Sequence, residues 1–154
     1  MEDIDSPKCF EIVDELNGKL DMPVYHDDQH GSGIVAGAGL INSLKVVGKK
    51  LDEAKVVIVG AGSAGYGTAR MLDAIGIKNI LVVDSKGIIH SGRSDLNKYK
   101  QKLAAITNKE GMQGDLMTAL NGADVVVAFS GIAGLIKNEM IKKSLNGFNL
   151  ELTS

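Results

Sequence analysis

The chain of 154 residues has no tryptophan, two prolines and one cysteine, and aromatic residues make up only 4% of it. Cys9 has no partner for an internal disulfide, and its place in an apolar helical pattern marks it as a small core residue. No apolar run reaches the roughly 18 residues of a membrane span. The start Met1-Glu2-Asp3 lacks the basic character of a secretory signal. The expectation is a cytoplasmic protein with no membrane partner. A surplus of one charge is missing too: 17 Lys and Arg stand against 19 Asp and Glu, and the lysines are spread along the chain. Without a basic field, a nucleic-acid partner is excluded.

Glycine is the excess, at 19 residues, while 44% hydrophobic and 23% charged residues are ordinary globular usage. One domain-sized core is expected. Ser6-Pro7 reads as a capped helix start and Gly18 as its stop, with Cys9, Val13, Leu16 and Leu20 facing the core. After a turn comes the polar loop His26-Asp27-Asp28-Gln29-His30. A long buried helix follows, with Ile34, Ala38, Ile41, Leu44 and Val47 on its apolar face and Gly37 and Gly39 marking close backbone packing. Val56 to Val59 reads as a strand buried on both faces, Ala64 to Ile75 as a helix, and Asn79 to Val83 as a second buried strand. Asp95 is expected to cap a helix running to about Ala105 and Asp115 a short one to Leu120. Ala123 to Phe129 is the third strand. The alternation predicts an α/β fold, a partial parallel sheet with flanking helices.

Gly60-Ala61-Gly62-Ser63-Ala64-Gly65 matches G-x-G-x-x-G between the first strand and its helix. By itself such a run is compatible with a plain tight turn. Here strand, turn, helix, strand and acid occur in the order of a Rossmann dinucleotide site. The first glycine permits the turn, the second lets a pyrophosphate approach the backbone, and the third lets helix and strand pack closely. Free amides at the helix start, from Ser63 and Ala64 onward, favour the phosphate charge. Asp84 follows at about the 20-residue distance where a carboxylate accepts the adenosine ribose hydroxyls. That acid disfavours a 2′-phosphate, while Lys86 and Arg93 are near enough in sequence to compensate, so NAD is favoured over NADP by a small margin. Ser85 and Lys86 complete the acidic end of the second strand. Ser130-Gly131 ends the third strand, either as a simple turn or as the small-residue edge of the cofactor crevice.

Two acidic pairs, Glu2-Asp3 and Asp27-Asp28, have the oxygen-rich chemistry that hard cations prefer. Solvated surface or helix capping is the plainer account. His26 and His30 suit zinc only if one helix face holds both, which a loop does not.

Glu2-Asp3-Ile4 with Ser6-Pro7-Lys8-Cys9-Phe10, then Pro23-Val24-Tyr25-His26-Asp27-Asp28-Gln29-His30-Gly31, then Asp84-Ser85-Lys86-Gly87, closely resemble the bacterial and archaeal malic enzymes. The resemblance covers the chain from Met1 to about Lys143, and its His-Asp-Asp-Gln-His-Gly run is far more specific than the glycine fingerprint. It implies an oxidoreductase that decarboxylates malate to pyruvate with NAD or NADP and a magnesium or manganese ion. It also implies that Glu2, Asp3 and Asp28 are the metal ligands, with Asp27 in support.

Three features depart from that pattern. The family's lysine base and tyrosine acid precede its metal pair, which here occupies positions 2 and 3, so no catalytic residue is assigned. An asparagine-containing substrate loop is also missing after the third strand, and residues 145–154 do not resemble the family. The expectation is a chain truncated at both ends: a remnant of the metal and substrate domain over 1–50, a partial NAD(P)-binding domain over 51–144, and a divergent tail. Such a chain is either an enzyme component completed by another polypeptide, inactive with malate alone, or a non-catalytic cofactor-binding module. Three strands leave a sheet edge open for pairing, so a homo-oligomer is expected.

Overall fold

The computed structural model describes residues 1–144; the tail set apart above lies outside them. Three strands run parallel: β1 (Lys55–Val59) pairs with β2 (Asn79–Asp84) on one side and β4 (Val125–Ala128) on the other. A two-residue strand that periodicity could not reveal, β3 (Gly87–Ile88), turns back antiparallel onto β2, giving the order β3-β2-β1-β4. The sheet is therefore mixed, with a parallel centre.

Alternation along the strands sorts the core into two layers, because successive side chains leave opposite faces of a strand. Val56, Ile58, Ile80, Val82, Val125 and Val127 pack with α1 (Lys8–Lys19), α2 (Ser32–Val46), α3 (Ser63–Ala74) and α4 (Lys98–Ile106). Val57, Val59, Leu81, Val83, Val126 and Ala128 pack with α5 (Leu116–Leu120), and Met140 of α6 (Asn138–Ser144) lies against that layer. Each of the valine, leucine and isoleucine side chains contributes about 1.5–3 kcal/mol on burial. This double burial explains why β1 is an unbroken β-branched run. No helix among the described residues is long and apolar enough to cross a membrane.

Several local expectations shift. Helix α1 runs through Gly18 to Lys19, with Cys9, Phe10 and Val13 buried and Leu20 exposed. Its start carries no side-chain cap, so the Ser6 hydroxyl is not spent there. Asp95 does not cap α4 either: its carboxylate is taken by Arg93 and Lys86, and Asn97 accepts the free amides of Tyr99 and Lys100 instead. Asp115 does cap α5, accepting from Thr118 N.

Helix α2 has the largest rotation. Gly33, Ala36, Gly37, Leu40 and Leu44 are buried, whereas Ile34 and Val47 are exposed and Val35 is 64% exposed. The reason is steric. A Cβ on Gly33 would lie 2.9 Å from the Gly67 carbonyl oxygen, and one on Gly37 3.1 Å from Met71 Cγ. The small face must point inward for α2 to lie this close to α3. The helix is thus buried on one side only.

Candidate functional site

The carboxyl ends of β1, β2 and β4 open onto a crevice of about 780 Å³. Its walls include Gly60 and Gly62 from the first turn, Asp84, Ser85 and Lys86 from the second, and Ser130 after the third. Gly60 has φ +108°, and a Cβ there would sit 2.7 Å from the Phe129 carbonyl oxygen, so both the turn and its close approach to β4 need glycine. Gly65 faces inward rather than into the crevice: its Cβ would fall 1.9 Å from the Gly60 carbonyl oxygen. Ser63 and Ala64 form the first turn of α3, which follows Gly62 and carries no side-chain cap, so its first amides have no intrahelical partner. Gly131, at φ +62°, lies just beyond Ser130, whose hydroxyl accepts from Ile132 N at 3.2 Å.

Asp84 stands where expected but is already engaged. Its Oδ1 accepts from Lys86 N and Arg93 Nη1, both at 2.9 Å, and its Oδ2 from Arg93 Nη2 at 3.1 Å and Lys100 Nζ at 2.6 Å. Those four donors match the acceptor capacity of a carboxylate, leaving none spare for ribose hydroxyls. Burial pushes the Asp84 carboxyl up, but the hydrogen bonds from Arg93 and Lys100 outweigh it and hold the group below its ordinary value. Lys86 also reaches Asp95 at 3.0 Å. Lys100 could not be read locally, because it comes from α4. Gly114 and Leu116 also line the crevice without any sequence signal.

The polar loop is a single π-helical turn, Asp27–Gly31. The N-terminal segment is laced to it: Asp27 N donates to Met1 O at 2.8 Å and Asp3 N to Asp28 Oδ2 at 2.9 Å. Two of the three expected metal ligands are thereby adjacent, although Asp3 meets Asp28 through its backbone. Glu2 and Asp3 are exposed. Among the described residues, no three carboxylate, imidazole or thiol side chains converge as a metal cluster. The oxygen-only donor set fits a hard cation; its three carboxylates are not gathered in advance.

The histidines also resolve. His26 is fully buried, with Nε2 3.6 Å from Asp28 Oδ2, while His30 Nδ1 accepts from His26 N at 2.9 Å. Burial and the nearby Arg70 charge push the His30 pKa down, which suits the neutral ring that an accepting Nδ1 requires. The turn is seated on α3 by backbone: a Cβ on Gly67 would fall 1.8 Å from the Gln29 carbonyl oxygen.

A family model described as malic enzyme, NAD binding domain, matches residues 29–149. The NAD-dependent malic enzyme of Geobacillus stearothermophilus is 46% identical over 143 residues, which cover 93% of this chain and 30% of that protein. The NADP-dependent malic enzyme of Halomonas elongata is 45% identical over 145 residues, 93% of this chain and 33% of its own length. The NAD-dependent malic enzyme of Thermotoga maritima superposes with a TM-score of 0.88 at 44% identity, over 94% of this chain and 38% of that one. The chain thus spans about a third of the length of these two curated relatives. A sheet with the glycine turn at its carboxyl edge, the acidic turn docked on α3, and these relatives agree: the chain belongs to the malic enzyme family, through its NAD-binding domain.

Proposed function

We propose that this chain serves the oxidative decarboxylation of malate to pyruvate and carbon dioxide, with NAD or NADP and a magnesium or manganese ion. One observation carries the reading. The glycine turn that would hold the pyrophosphate and the acidic turn with Asp28 lean on one helix, α3, through Gly65 and Gly67. A nicotinamide and a hard cation are thereby given neighbouring seats.

When bound, the nicotinamide would accept hydride from C2 of malate and the cation would supply Lewis-acid polarisation of the C2 oxygen. The chain's own groups bind and orient. Gly60 and Gly62 leave room for the pyrophosphate, and the amides of Ser63 to Gly65 face its charge. Ser130 and Gly131 border the route of the cofactor past β4. Glu2, Asp3 and Asp28 would hold the cation, with Asp27 supporting the turn. At the end of β2, Lys86, Arg93 and Lys100 surround Asp84 and Asp95, so charge there does not exclude a 2′-phosphate. This supports NADP as well as NAD.

The reaction also needs the lysine base and tyrosine acid that the family resemblance places ahead of the Glu-Asp pair. The test mixes the chain with a polypeptide carrying those residues and follows malate-dependent NAD(P) reduction with manganese present. Pyruvate formation beyond that of either component is expected. A mixture that binds cofactor and manganese yet forms no pyruvate sinks the reading. Self-association through β4, an edge strand among the described residues, is part of the same proposal, and sedimentation velocity tests it.

A further inference from the structure

The glycine turn has a neighbour outside its own fingerprint. A Cβ built on Gly62 meets a single atom within 4 Å, the Ser6 Oγ, at 3.7 Å. Gly62 is the residue whose missing side chain makes room for the pyrophosphate. The Ser6 hydroxyl therefore borders the volume that the phosphates would fill.

Local structure leaves that hydroxyl available and holds it in place. Ser6 does not cap α1, is exposed, and has no hydrogen-bond partner for its side chain among the described residues. The segment around it is anchored to α3. Cys9 is fully buried in the core that α1 shares with α3, and the Phe10 ring lies 4.6 Å from that of Tyr66. Cys9 N donates to Asp5 O at 3.0 Å, closing the backbone across Ser6. A donor held this way loses little freedom when it binds.

We propose that Ser6 is a cofactor-binding residue whose hydroxyl donates a hydrogen bond to a pyrophosphate oxygen seated over Gly62 and the first amides of α3. The inference rests on the dinucleotide reading of that turn and extends the site to a segment the fingerprint does not include. A neutral donor suits this place: it meets phosphate charge without adding another ion beside Glu2, Asp3 and Asp5.

Calorimetric titration of the full chain with ADP-ribose, which carries the pyrophosphate, and with adenosine, which does not, tests the proposal. Ser6→Ala is expected to weaken ADP-ribose binding about tenfold or more, the size of one lost charge-assisted hydrogen bond. Adenosine binding should change less than about twofold, since no phosphate contact is involved. Ser6→Thr, which keeps the hydroxyl, should retain most of the ADP-ribose affinity. Equal ADP-ribose affinity in Ser6→Ala and the unmodified chain overturns the assignment, and so does an equal loss for both ligands, which marks a structural role. An unmodified chain that binds no ADP-ribose brings down the dinucleotide reading instead, and this inference with it.

Discussion

Arg93 grips Asp84 through both carboxylate oxygens, Nη1 to Oδ1 at 2.9 Å and Nη2 to Oδ2 at 3.1 Å. The pair is nearly buried, and Lys100 adds a second cation. The acid at the end of β2 is thus a structural anion that gathers cations around the crevice.

A pH dependence follows from that grip. The Asp84 carboxyl titrates below its ordinary value of 3.8, so its stabilisation is complete above that pH and is lost as pH falls through the lower folded value. Asp84→Asn should cost on the order of 2–4 kcal/mol at neutral pH, because Lys100 and Arg93 lose a nearly buried anion, although Arg93 keeps Asp95 through Nε and Nη2. It should also flatten the stability profile below about pH 4. Urea unfolding across an acid pH series measures both, and an unchanged profile would mean that Asp84 is not the group responsible.

Lys86 is the exposed cation of the cluster, bound only to Asp95. Lys86→Ala should weaken NADP about five- to tenfold while changing NAD less than about twofold, because only NADP carries the 2′-phosphate. The NADP effect should shrink at high salt. Fluorescence titration with the reduced cofactors reads the ratio, and equal losses for both would place the 2′-position elsewhere.

The two inner glycines of the fingerprint should fail differently. A side chain at Gly62 has space, with Ser6 Oγ at 3.7 Å, so Gly62→Val should fold and lose cofactor. At Gly65 the added carbon meets the Gly60 carbonyl at 1.9 Å, and backbone must move. Gly65→Ala should therefore lose about 1–3 kcal/mol or more of stability as well as binding. Thermal unfolding beside titration separates the two. If Gly62→Val binds as well as the unmodified chain, the pyrophosphate does not lie over Gly62.

Manganese binding should be weak, since Glu2 and Asp3 lie in an exposed segment and the three carboxylates are not pre-gathered. Asp28→Ala removes the carboxylate on the firmer π-helical turn and should abolish most of the binding that remains. Water-proton relaxation enhancement in manganese solution checks it. A signal unaffected by the substitution excludes Asp28 as a ligand.

How far the sequence could be read differs by element. Strands β1, β2 and β4 were legible because β-branched runs buried on two faces have no polar interruption. Helix α2 was legible as a helix but not in its orientation: periodicity ranks Ile34 and Val47 as core, whereas packing against α3 rewards Gly33 and Gly37, which carry no hydrophobic weight. The fingerprint located the glycine turn between β1 and α3. It could not reveal that Lys100, on another helix, shares Asp84 with Arg93, because such a contact depends on how β2 and α4 come together. The acidic turn stands out in the sequence as a polar loop, but its helical form does not, since a π-helical turn leaves no periodic trace in five residues.

Gly65 and Gly67 press the opening of α3 against two separate carbonyls, those of Gly60 and Gln29. A helix advances about 1.5 Å and turns about 100° with each residue. One residue added or removed between these contacts would swing one glycine off its carbonyl and bring a side chain onto it. The first turns of α3 therefore work as a gauge of fixed length between the glycine turn and the acidic turn, and a change of length here disturbs both contacts at once.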